Sequence, residues 1–207
     1  MEAFDDVRPA PLFPEEQALV VRAVEKRRRE FATARRCSRE ALAVLGFPPA
    51  PLLPGERGAP QWPAGVVGSI THCAGYRAAT VARDSSVWTI GVDAEPNAPL
   101  PEGVLETVAG PAERQAVTAL LATYPGVRWD RLLFSAKEAV YKAWFPLARR
   151  WLGFEDAVVE LDAEAGSFEA QLTIPAPRVA GRYLTGFRGG WTVERGLVAT
   201  AVVLPRE

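Results

Sequence analysis

Lysine is nearly missing from this chain: of 24 basic residues only Lys26, Lys137 and Lys142 are lysine, and His72 is the sole histidine. Cysteine is as scarce. Cys37 and Cys73 are too few for a disulfide framework and lack metal-ligand spacing, so two reduced thiols in a cytoplasmic protein is the expectation. No apolar run approaches the length that crosses a bilayer, and the opening Met-Glu-Ala-Phe-Asp-Asp has no signal-peptide core, so neither membrane nor export is expected. A net charge of −1 excludes a globally basic nucleic-acid binder. Also missing are a Gly-x4-Gly-Lys-Ser/Thr loop, zinc-ligand spacing and a Glu-rich Nudix-type helix. With 48% hydrophobic and 24% charged residues, the 207-residue chain has the composition of a folded protein, as one domain or two small ones.

Helical pattern opens at Pro14-Glu-Glu-Gln and runs, with a break, to Leu45, where Gly46-Phe-Pro-Pro stops it. Residues 47–64 are a Pro- and Gly-rich loop carrying Glu56-Arg57. Residues 66–71, 78–83 and 87–92 read as short strands. The Pro-rich stretch 96–101 is the best internal boundary, which gives segments 1–100 and 101–207. A helix then starts at Pro111, and another covers 129–145, ended by Pro146. Strand-like runs follow at 158–161, 168–174, 183–187 and 197–204. Each segment is helix followed by short strands, so the fold class is α+β.

Two motifs carry chemistry. In Phe134-Ser-Ala-Lys-Glu-Ala-Val-Tyr-Lys-Ala-Trp144, a helix at about 100° per residue gathers Leu133, Ala136, Val140 and Trp144 into a stripe about 80° wide. Glu138 and Lys142 fall on the opposite side as an i, i+4 pair, and alone such a pair is a solvated contact worth a few tenths of a kcal/mol. Lys137 lies about 60° from the buried stripe, where a structural ion pair is an equal possibility. Upstream, Val87-Trp-Thr-Ile-Gly-Val ends in Asp93-Ala-Glu95, which puts two carboxylates on one face of a strand end, their Cα atoms about 7 Å apart. Alone, this is ordinary solvated loop chemistry. With Glu138 as a third oxygen donor the set suits Mg²⁺, which takes few carboxylates and fills its remaining positions from water and substrate phosphates. His72, ending a strand, is by itself more often a satisfied structural residue than a ligand, and the Lys26-Arg27-Arg28-Arg29 run a solvated helix face.

Together the segments Gly91-Val-Asp93-Ala-Glu95 and Phe134-Ser-Ala-Lys137-Glu138-Ala-Val-Tyr-Lys142 resemble the 4′-phosphopantetheinyl transferases of the Sfp/EntD class. A third segment, Gly68-Ser-Ile-Thr71-His72, is similar to that family's Ser/Thr-His strand. The likeness extends from about Glu15 to Leu204 and is nearest to short actinobacterial members. It implies two similar α+β halves about a pseudo-twofold axis, with the active site in the cleft between them. It implies Mg²⁺-dependent transfer of phosphopantetheine from coenzyme A to a serine of an apo carrier protein, releasing 3′,5′-ADP. On this resemblance Asp93, Glu95 and Glu138 hold the metal. Glu138 serves also as base, Lys142 stabilises the transferring phosphoryl group, and Thr71, His72, Arg27, Arg35, Arg57 and Lys137 bind coenzyme A. Pro54 departs from the pattern by standing where related sequences often carry lysine. The resemblance also implies a monomer that docks its carrier near residues 103–116, with Arg114 and Arg149 placed to steer an acidic carrier. Fatty-acid, polyketide and nonribosomal-peptide carriers all remain open, as do a Mg²⁺-dependent phosphoester hydrolase and an inactive carrier-binding module.

Overall fold

The computed structural model describes residues 1–7 and 10–206. The chain divides into two compact units, Met1–Ile90 with Pro205–Glu207, and Gly91–Leu204. The division falls within a strand and not in the Pro-rich stretch 96–101, because that strand joins the sheet of the second unit.

In the first unit, strand β1 (Glu2–Ala3) precedes helices α1 (Pro14–Val20) and α2 (Glu25–Val44), and strands β2 (Val66–Cys73) and β3 (Tyr76–Arg83) follow. The expected break in the helical stretch is therefore present, between Val20 and Glu25. Pro14 occupies the first turn of α1, where its missing N–H costs nothing, and Glu16 reaches back to the Phe13 N–H at 3.0 Å. β2 and β3 form an antiparallel hairpin that pairs His72 with Arg77 and Cys73 with Tyr76, and β1 lies on the far side of β3. Ala3, Cys37, Ala79 and Ile70 pack together beneath α2.

β4 (Val87–Pro96) leads into the second unit, which holds α3 (Val104–Val108), α4 (Pro111–Thr123) and α5 (Trp129–Ala148). Strands β5 (Ala157–Asp162), β6 (Ser167–Leu172), β7 (Arg178–Val179), β8 (Arg182–Tyr183), β9 (Gly186–Glu194) and β10 (Leu197–Pro205) complete it. The main sheet has the order β4-β10-β9-β6-β5, and β7 and β8 form a separate pair. The long strand β9 begins at Gly186, inside the run expected at 183–187, and continues well beyond it to Glu194. Its Gly189-Gly190 pair hides it from a propensity reading, yet the first glycine is needed: a Cβ there would overlap the Phe168 ring. The predicted apolar stripe of α5 is fully buried, with Leu133, Ala136, Val140 and Trp144 packed in one cluster with Val159, Phe168, Phe187, Val198 and Val202.

Pro146 does not end α5. The helix continues to Ala148 and stops at Arg149, whose left-handed φ of 50° lets its N–H reach the Phe145 carbonyl at 2.9 Å. Pro146 gives up the N–H that would bond the Lys142 carbonyl, and only two helical residues follow it before the end at Ala148. Among the described residues no helix is long and apolar enough to cross a membrane.

Candidate active site

The second unit brings β4 and α5 into contact at Gly91. A Cβ at this position would overlap the Ala139 carbonyl oxygen and sit 2.7 Å from Ala143 N, so only glycine lets the strand lie on the helix backbone. Ala139 and Ala143 are themselves wholly buried. Four residues on, the strand end presents Asp93 and Glu95 to one face of α5.

That face carries Arg131, Glu138 and Lys142, which lie seven and eleven residues along the helix and so within an arc of about 40°. Lys142 Nζ donates to Asp93 Oδ1 at 2.7 Å and to the Val92 carbonyl at 3.1 Å. Arg131 Nη1 donates to Glu95 Oε2 at 3.0 Å, while its Nε and Nη2 donate to the carbonyls of Ala98 and Pro99 at 3.1 and 2.8 Å. Each strand carboxylate thus meets one cation from the helix, and Glu138 lies between the two cations in sequence. Burial pushes the Glu138 carboxyl above its ordinary range; Asp93 adds to this, Lys142 offsets part, and Glu95 contributes in the same direction. Glu95 is likewise raised by burial and then by Asp93, with Arg131 opposing. Three carboxylates here repel one another.

As the side chains stand, no three His, Cys, Asp or Glu groups among the described residues are close enough together to hold a metal ion. As they stand, of the three carboxylates expected to converge on one divalent cation, Asp93 is paired with Lys142 and Glu95 with Arg131. The donor set nonetheless fits a hard divalent cation. All three groups are carboxylates, and a 2+ charge would offset the burial and the mutual repulsion that raise Glu95 and Glu138.

Lys137 points elsewhere. Its ammonium is buried, donating to Glu113 at 2.9 Å and to the carbonyls of Phe154 and Ala157 at 2.8 and 2.9 Å. All three donors are taken, so it holds α4 and β5 to α5 and offers none to a ligand. Glu113 in turn accepts from the N–H groups of Gly110 and Val159 at 2.7 and 2.8 Å. Ser135 is also structural: its hydroxyl pairs with Thr200 Oγ1 at 2.9 Å, and Thr200 donates to the Ser135 carbonyl.

In the first unit, Arg27 Nη1 meets His72 Nε2 at 2.6 Å. A guanidinium only donates, so Nε2 accepts and the imidazole proton sits on Nδ1. Both side chains are exposed. Strand alternation turns Thr71 to the opposite, buried face of β2, so its side chain does not join His72. Arg35 is buried, stacked on Phe31 with its guanidinium carbon 4.2 Å from the ring centroid. Burial lowers its pKa, and Glu16, at 3.8 Å, partly restores it. Arg57 sits exposed at the tip of a loop closed by a Pro54–Pro60 bridge, with a φ of 51°. Arg114 donates to the Ala109 carbonyl at 2.6 Å, and Arg149 is exposed beyond α5.

Sequence reasoning missed Arg131, Glu113 and Glu16. Arg131 was legible from its seven-residue spacing to Glu138. Glu113 and Glu16 are each the third residue of a helix opened by proline, the capping-box position. Neither signal reveals that the same carboxylate also closes a buried ion pair: Glu16 accepts from Arg39 at 2.9 Å and from the Leu52 N–H at 2.9 Å.

Comparison with known proteins gives the family. Residues 15–82 match the model of the 4′-phosphopantetheinyl transferase N-terminal domain, and residues 89–191 that of the 4′-phosphopantetheinyl transferase superfamily. The chain is 56% identical to the 4′-phosphopantetheinyl transferase Svp of Streptomyces mobaraensis, covering 98% of this chain and 83% of that protein. It is 50% identical to PptT of Mycobacterium tuberculosis, over 98% of this chain and 90% of the relative. It is also 50% identical to Npt of Nocardia iowensis, over 91% and 87%. With matches over both units and nearly the whole length, the chain belongs to the 4′-phosphopantetheinyl transferase superfamily and is a transferase that modifies carrier proteins.

Proposed function

We propose that the transfer is Mg²⁺-dependent, that coenzyme A is the donor, and that Asp93, Glu95 and Glu138 hold the metal. The carrying observation is the Glu138 carboxyl, raised by burial and by two neighbouring carboxylates, on the helix face that also bears Lys142 and Arg131. Bound there, Mg²⁺ would supply charge neutralisation to the pyrophosphate of coenzyme A.

The protein's own residues do the rest. A serine hydroxyl of the apo carrier attacks the phosphorus that bears the pantetheine group; the new P–O bond forms as the bond to 3′,5′-ADP breaks. The hydroxyl proton goes to Glu138, the carboxylate one helical turn before Lys142 on the same face of α5. Lys142, paired with Asp93 as the side chains stand, would stabilise charge on the phosphoryl oxygens. In the first unit the exposed Arg27–His72 pair binds the 3′-phosphate: Arg27 donates as a fork, and His72 donates through Nδ1 or, once protonated, through both nitrogens. Arg35 and Arg57 contribute further positive charge toward the nucleotide. The cytoplasm is the proposed location, a monomer the proposed state, and fatty-acid, polyketide or nonribosomal-peptide synthases the carrier classes to screen. Residues 103–116, with Arg114 and the exposed Arg149, are the proposed carrier-docking region.

One incubation tests the reading: apo carrier, coenzyme A and Mg²⁺, followed by intact mass. A phosphopantetheine adduct with stoichiometric 3′,5′-ADP is expected. Free 3′,5′-ADP over unmodified carrier would mean hydrolysis, and a stable complex with neither product a binding module.

A further inference from the structure

We infer that Arg131 is a positioning residue for the magnesium site, acting through Glu95; this rests on the reading of Asp93, Glu95 and Glu138 as the metal ligands. The guanidinium spends all three of its nitrogens on one short piece of chain. Nη1 takes Glu95 Oε2 at 3.0 Å, and Nε and Nη2 take the carbonyls of Ala98 and Pro99. Both side chains of the ion pair are largely shielded from water, 16% exposed for Arg131 and 21% for Glu95. Glu95 is the next-to-last residue of β4, and in the turn that follows Pro96, Pro99 and Pro101 have no N–H to donate, while the carbonyls of Ala98 and Pro99 are tied to α5 through this guanidinium.

Arg131 adds a tie of its own from α5. It clamps the two carbonyls to α5 and holds Glu95 through one oxygen, on the helix face where Glu138 stands. A carboxylate fixed by a hydrogen bond from behind loses less freedom on binding a cation, and such outer partners are commonly worth about 10–100-fold in metal affinity. The positive charge works the other way, since a guanidinium beside the site repels a dication. Geometry is expected to win here because the arginine contacts only Oε2, leaving Oε1 for a ligand bond. A lysine at 131 would keep the charge but could not span Glu95 and both carbonyls.

The test is titration of the full chain with Mn²⁺, read by loss of the free-ion paramagnetic resonance signal, with coenzyme A present. Arg131→Met is expected to weaken Mn²⁺ binding about 10–100-fold, and Arg131→Lys to recover part of that loss. In a Glu95→Gln background, Arg131→Met should add little further loss, because its route to the metal is gone. Unchanged or tighter binding in Arg131→Met, or a full additional loss in the Glu95→Gln background, would overturn the inference while leaving the metal reading in place. If the unaltered protein fails to bind Mn²⁺, or binds it equally well as Asp93→Asn and Glu138→Gln, the metal reading falls and the inference with it. Should Arg131→Met fail to fold, Arg131→Gln with the same titration decides the matter.

Discussion

Replacing Lys137 by methionine separates the two lysines of one motif. The side chains of Lys137 and Glu113 are only 3% and 5% exposed, and their 2.9 Å contact is the charge balance of that part of the core. Methionine keeps the volume but strands the Glu113 carboxylate and leaves the Phe154 and Ala157 carbonyls without their donor. Removing one partner of a buried pair costs about 3–5 kcal/mol. For a chain of this size each kcal/mol lowers the melting temperature by about 2–4 °C, so a fall of roughly 6–20 °C is expected. Acid should partly rescue the variant, because protonating Glu113 removes the orphaned charge. Lys142→Met is the comparison: it too leaves a buried carboxylate, Asp93 at 7% exposed, without its cation, but Lys142 itself is 26% exposed, so its loss should cost less than that of Lys137 while removing transfer activity. Calorimetry and coenzyme A kinetics on both variants decide the matter. If Lys137→Met melts within about 2 °C of the unaltered protein while its KM for coenzyme A rises tenfold or more, the structural role is refuted and Lys137 is a ligand residue.

Four further outcomes are expected. Gly91→Ala should destabilise the second unit by about 1–3 kcal/mol or more, because its methyl group meets helix backbone that cannot step aside; an unchanged urea midpoint would show that β4 does not lie on α5. Glu138→Gln should lower turnover by about 10²–10⁴-fold. The same variant should flatten the pH dependence of stability in metal-free protein. A carboxyl whose pKa is raised by folding favours the fold below its unfolded value, and that contribution is lost as pH rises through the folded value, so wild type should gain stability on going from pH 8 toward 5 and the variant less. His72→Ala should raise the KM for coenzyme A more than for dephospho-coenzyme A, which lacks the 3′-phosphate; equal losses with both donors would make His72 structural.

Much of the architecture was legible in advance for a physical reason: periodicity and punctuation are local. The stripe of Leu133, Ala136, Val140 and Trp144 is buried as its spacing required, and Pro14 and Pro111 do open helices. The errors are equally instructive. Gly189-Gly190 disguised a nine-residue strand because close approach by Phe168 outweighed propensity, and Pro146 sits in a final turn that tolerates it.

From residues alone came the carboxylates, the helix face that Glu138 and Lys142 share, and, by resemblance, the family. Sequence spacing shows which groups lie on one face of an element, since that is set by 3.6 or 2 residues per repeat. It does not show which group on another element meets them. That Lys137 turns into the core to neutralise Glu113, while Lys142 goes to Asp93 and Arg131 to Glu95, depends on contacts between residues up to 49 positions apart. Only the packing of β4 and α4 against α5 could assign each cation its partner.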